Sequence, residues 1–130
     1  MMGGPGGSIA FRKMSLRIHH LALRARDPSA TEHFYVSVLG LRVMARHDDR
    51  GSVWLDASGA MVMVERAEDG EPAIDAGSRE LVAFAIDDLP AWRLRLAQAG
   101  VNVEGETPYT LYFRDPDGRR VGLSTYAFAR

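Results

Sequence analysis

The chain has 130 residues, 46% of them apolar and 25% charged, with 16 Lys and Arg against 17 Asp and Glu for a net charge of −1. That size and apolar fraction suit one globular domain with a proper core, while the balanced charge and lack of a long basic run argue against nucleic acid and acidic membranes as partners. No cysteine is present, which rules out disulfides, a thiol nucleophile and thiolate metal sites. No apolar run reaches membrane-spanning length and Met1 to Ser8 lacks the pattern of a signal peptide, so the cytoplasm is the expected location.

Residues 1–14 read as a Gly-rich, flexible leader, and 15–130 as a single domain. From residue 16 to 25 the alternation and β-compatible content predict a strand, stopped by Asp27-Pro28. Asp27 or Ser29 caps the helix that follows, in which Ala30, Phe34, Val38 and Leu41 recur at helical spacing, with Gly40 as the terminating residue. Three strands are expected near 41–47, 52–57 and 60–66, separated by the turn signals Asp48 to Gly51 and Ser58-Gly59. A polar connector, 67–78, leads to a second unit: a strand over 79–86, a helix from Leu89 to Ala99 ended by Gly100, and strands near 101–105, 108–114 and 119–126. Asp115-Pro-Asp-Gly118 joins the last two as a type I turn. The chain is thus a β-α-β-β-β module over 16–66 and a second over 79–126, with the Asp27 and Asp88 segments as counterparts and one deletion in the second helix region.

This approximate repeat, with His20-Leu-Ala-Leu, Phe34-Tyr35 before Leu39-Gly-Leu41, Ala83-Phe84 before Asp87-Asp-Leu89, and Phe113-Arg-Asp-Pro-Asp-Gly118, resembles the vicinal oxygen chelate superfamily of glyoxalases, bleomycin-resistance proteins and dioxygenases. The resemblance covers about residues 16–126. It implies an α+β fold of paired βαβββ modules, whose mixed sheets curl into a cup with helices packed outside, and a homodimer. It says less about activity, since one fold hosts many chemistries.

Metal-dependent members place ligands at four pseudo-symmetric positions, which carry over to His20, Leu81, Met63 and Gly122. Only His20 is a usual donor. A divalent ion of that kind needs about three converging imidazoles or carboxylates, so no metal and no cofactor are expected. A one-residue slip would bring in Glu80 but turn Val82, Phe84 and Ile86 from the helix layer, and Glu65 lies two residues beyond the usual slot.

Period-2 alternation then puts His20, Ala22 and Arg24, Met61, Met63 and Glu65, Leu81 and Ala83, Tyr112 and Arg114, and Arg120 and Gly122 on the lining of the cup. His20, Arg24, Met63, Glu65, Leu81, Tyr112 and Arg120 are the expected ligand-binding residues. Each has a plainer alternative: His20 as a hydrogen-bonded core group, the methionines as core, the arginines as surface pairs, Tyr112 as a backbone partner. The same alternation sets His19 on the face opposite His20. His33 and His47 read as solvent-facing, and Trp54 and Trp92 as core or interface. Catalytic residues are not assignable. The leading reading is a protein of the bleomycin-resistance type that holds a small organic molecule in a metal-free cup. The alternative is a lyase, isomerase or dioxygenase-like enzyme, metal-independent with His20 or Glu65 as base and Tyr112 as acid, or with atypical metal ligands.

Overall fold

The structure, a computed structural model, describes residues 14–128. The leader expected over 1–14 lies outside these except for Met14. Two modules follow one another. The first comprises β1 (His20–Ala25), α1 (Pro28–His33), β2 (Arg42–His47), β3 (Ser52–Asp56) and β4 (Met61–Arg66). The second comprises β5 (Leu81–Ala85), α2 (Leu89–Gln98), β6 (Gly105–Glu106), β7 (Thr110–Arg114) and β8 (Arg120–Ser124). Each builds a four-stranded mixed sheet, ordered β1-β4-β3-β2 and β5-β8-β7-β6, with its first and last strands parallel. The expected α+β fold of two βαβββ modules is what the chain adopts.

Both helices start in the same way. The Asp27 carboxylate accepts from the Ala30 N–H at 3.2 Å and that of Asp88 from the Ala91 N–H at 3.0 Å, each with a proline in the first turn. Both end on a glycine with positive φ, 85° at Gly40 and 74° at Gly100. The first helical stretch is one residue longer than the second between these markers. A π-helical turn over Phe34–Val38, closed by Leu39 N–H to Phe34 C=O at 3.1 Å, absorbs the extra residue. The deletion inferred from the repeat is therefore visible as a local change of helix pitch.

Two boundaries differ from expectation. β1 begins at His20 rather than at residue 16, since Leu16 and Ile18 are 97% and 62% exposed and find nothing to pack on. β6 is two residues long rather than spanning 101–105. Val101 N–H returns instead to Leu96 C=O at 2.9 Å, which ties this stretch to the end of α2, and only at Glu104 does the backbone reach Tyr112.

Alternation sends one face of each sheet inward. Leu23, Val53, Leu55, Val62 and Val64 of the first sheet and Leu111, Phe113, Val121 and Leu123 of the second share one buried cluster with Phe34, Tyr35, Leu39 and Leu96. The modules are thus halves of one core. A polar lock reinforces it. The Asp115-to-Gly118 turn closes as expected, Gly118 N–H to Asp115 C=O at 2.9 Å, but its carboxylates reach across to the first module. Asp115, 5% exposed, accepts from the Tyr35 hydroxyl at 2.7 Å, the Arg119 guanidinium at 2.6 Å, and the N–H groups of Asp117 and Arg119 at 2.9 and 3.0 Å. Asp117 accepts from the Thr31 hydroxyl at 2.8 Å and the Arg26 N–H at 3.1 Å. Burial, then the nearby Asp115 charge, raises the Tyr35 pKa well above its ordinary value, so the hydroxyl remains a donor.

Candidate functional site

The outward faces of the two sheets carry matching rows of side chains. On the first, the cross-strand rows are His20–Met61–Asp56, Ala22–Met63–Trp54 and Arg24–Glu65–Ser52. On the second they are Leu81–Arg120–Arg114, Ala83–Gly122–Tyr112 and Ala85–Ser124–Thr110. Row for row, His20 matches Leu81, Met63 matches Gly122, and Trp54 matches Tyr112. β5 keeps its register, with Leu81 and Ala83 exposed and Val82 and Phe84 half-buried, and Glu80 stands before the strand.

His20, Arg24, Met63 and Glu65 lie together on the first sheet, and Leu81, Tyr112 and Arg120 on the second. Among the described residues, no hydrogen bond or ion pair joins a member of one set to a member of the other. Within the first set, the Arg24 guanidinium donates to Glu65 at 3.1 Å and, through two of its nitrogens, to Glu71 of the connector at 2.8 to 3.2 Å. Arg24 is thereby held in an internal network. In the second set, the Arg120 guanidinium stacks over the Tyr112 ring at 4.1 Å, and Arg114 and Arg120 share Glu104 at 3.0 and 3.4 Å.

The hydrogen bonds from Arg24 and from the Glu68 N–H hold the Glu71 carboxyl down to about 2 from the ordinary 4.5. Because the folded value lies below the unfolded one, this pair's stabilisation is complete above about pH 4.5 and is lost as pH falls toward 2. In urea titrations at graded pH, Glu71→Gln is expected to flatten the acid limb of stability in that window. An unchanged limb would show that the carboxylate is not engaged.

Two aromatic positions alter the sequence-based picture. Trp54, read as core or interface, is half-exposed beside Met63, its ring 5.0 Å from that of His20 in an edge-to-face contact. The alternation of Ser52, Trp54 and Asp56 against the buried Val53 and Leu55 sets the indole on this face. His19 is a correction. It precedes β1, where strand alternation has no force, and its Nδ1 lies 2.9 Å from that of His20 rather than across the sheet. His33 is exposed, whereas His47 is half-buried. Trp92 packs half-buried against the core and beneath the Arg95 guanidinium at 4.9 Å.

The four positions that would hold the superfamily's ion do not suit one. Imidazole, thioether, isobutyl and hydrogen supply one usual donor, the imidazole, and no group of three or more His, Asp or Glu side chains able to hold an ion occurs among the described residues. A Cβ at Gly122 would meet Leu81 Cδ1 at 3.3 Å and Ala83 Cβ and Thr110 Cγ2 at 3.5 Å, a snug fit that a small shift of the exposed Leu81 end relieves.

A family model described as Glyoxalase/Bleomycin resistance protein/Dioxygenase superfamily matches residues 17–123. The chain belongs to that superfamily. Among superfamily relatives, the metallothiol transferase FosB of Bacillus licheniformis is 29% identical over 119 residues, which cover 85% of this chain and 75% of FosB. Lactoylglutathione lyase from Agrobacterium tumefaciens superimposes with a TM-score of 0.68 at 26% identity, covering 86% of this chain and 95% of the other. TnmS3, an antibiotic binding protein from Streptomyces sp. CB03234, superimposes with a TM-score of 0.69 at 24% identity over 88% and 98% of the two chains, a likeness of fold. No helix among the described residues is long and apolar enough to cross a membrane.

Proposed function

We propose that this superfamily member binds a small organic molecule without a metal, on the faces lined by His20, Arg24, Met63 and Glu65 and by Leu81, Tyr112 and Arg120. The observation that carries the reading is the repeated row Ala22–Met63–Trp54 and Ala83–Gly122–Tyr112. In each module a strand-three aromatic stands beyond a position that ligates in metal-dependent relatives and here holds a non-ligating residue, with an alanine on the other side. A flat apolar surface between small side chains suits an organic body, with Arg120 or His20 turned to its polar end. The half-site faces are exposed, Leu81 to 41%, as are Val43 and Met44 of β2 at 41% and 54%. We assign their cover to a second copy, in a cytoplasmic homodimer.

The enzyme reading keeps one specific support, the exposed His20 imidazole against Trp54. Thermal melts with Mn, Ni, Zn and a panel of planar organic molecules, antibiotics included after the relative TnmS3, separate the two. Divalent ions are expected to leave the melting temperature unchanged, whereas at least one organic ligand raises it, an effect that Trp54→Ala reduces. A large stabilisation by a stoichiometric metal would overturn the metal-free reading, and conversion of the bound compound to product would replace binding by catalysis. Sedimentation at graded concentration tests the dimer.

A further inference from the structure

The apolar seam between the two modules meets the binding reading above only at Leu81 and Arg120. There a cavity of about 430 Å³ opens between the facing edges of β1 and β5. Leu21, Ala22 and Leu23 of β1, Leu81 and Val82 of β5, and Ile74 of the connector line it. Arg114, Arg119 and Arg120 line the same space. The volume falls within the range of small-molecule pockets, and an apolar trough combined with guanidinium groups is suited to one kind of occupant.

Charge at the arginines is unevenly satisfied. Arg119 is spent on Asp115 at 2.6 Å and the Arg24 carbonyl at 3.0 Å. Arg114 pairs with Glu104 at 3.0 Å and donates to the carbonyls of Ser78 and Gly118 at 3.0 and 3.2 Å. Arg120, whose side chain is 14% exposed, makes a single polar contact among the described residues, through Nε to the already shared Glu104 at 3.4 Å. Its Nη1 and Nη2 groups donate to no protein acceptor there. The carboxylates that also line the cavity, Asp75 and Glu80, belong to exposed residues that water solvates. A guanidinium pinned over Tyr112 with its fork unused is a preorganised receptor for a carboxylate.

We infer that the β1–β5 seam is a binding site for an amphipathic carboxylate, its apolar chain along Leu21, Ala22, Leu81 and Val82 and its carboxylate on the Arg120 fork. Ile74, 36% exposed, is the connector's apolar contribution to the trough. The connector around Ile74 is exposed from Pro72 to Gly77 and is held at its ends by Glu71 to Arg24 and by Ser78 to Arg114, so entry requires movement of a short stretch that packs on little. The site shares Leu81 and Arg120 with the proposed ligand faces but not Trp54, Met63 or Tyr112.

Calorimetric titration of the full chain with decanoate, and with 1-decanol as the uncharged control, tests the seam. Saturable decanoate binding is expected, weakened at least about tenfold by Arg120→Gln and by Ile74→Asp, with decanol weaker by a similar factor. Ile74 is 36% exposed, so the second variant keeps its fold, which circular dichroism verifies. Trp54→Ala is expected to leave decanoate affinity unchanged. Absent binding, equal affinity for decanol, insensitivity to Ile74→Asp, or loss on Trp54→Ala would each overturn the seam site. Planar ligands whose binding depends on Trp54 would then still stand, so failure here is distinct from failure of the proposed function.

Discussion

Asp115→Ala is expected to lower the unfolding free energy by about 3–5 kcal/mol, the cost of removing one partner from a buried charge pair. The carboxylate is enclosed by Tyr35, Arg119 and two backbone N–H groups, and its loss leaves each of these donors without its acceptor. Urea denaturation followed by tryptophan fluorescence measures the change in midpoint at constant slope. Tyr35→Phe, which removes one neutral donor while keeping the ring, is expected to cost only about 1 kcal/mol. If the two substitutions cost the same small amount, the carboxylate does not hold the modules together. The consequence for function is geometric: a loosened lock lets the two half-site faces shift relative to each other.

Phe113→Ala is expected to be as severe, at about 3–5 kcal/mol, because a large aromatic is removed from a site with no solvent access. Its ring lies 6.0 Å from that of Phe34, so the contact joins the second sheet to the helical turn of the first module. A double-mutant cycle with Phe34→Ala should return a coupling of about 0.5–1.5 kcal/mol. Phe113 and Asp115 are neighbours across the same junction, so their combined loss is not the sum of the separate ones. A Phe113→Ala cost below about 1 kcal/mol would mean that the cavity collapses and that the shared core is more plastic than its burial indicates.

These two residues also show where reading along the chain stops. The Phe113 to Gly118 segment was legible as a turn because proline and glycine act on their own backbone. Its second task was not, since Tyr35 and Asp115 are 80 residues apart and no periodicity connects them. Likewise the partner of Arg24 was not legible: Glu71 lies 47 residues away in a connector without regular structure. Trp54 is different. Its strand alternates as cleanly as β4 does, and its equivalence to Tyr112 follows once both hairpins are paired in register.

The sequence by itself determined the two-module order, the capped helices and the inward face of β1, β4, β5, β7 and β8. All of these depend on residue chemistry and on contacts a few positions apart. The tertiary structure alone decided that both inner faces share one core, that the Asp115 turn clasps the first helix, that aromatic rows repeat on the two outer faces and that an arginine-edged trough opens at the seam. Each of those is a meeting of residues distant in sequence, set by how the modules pack rather than by any local pattern.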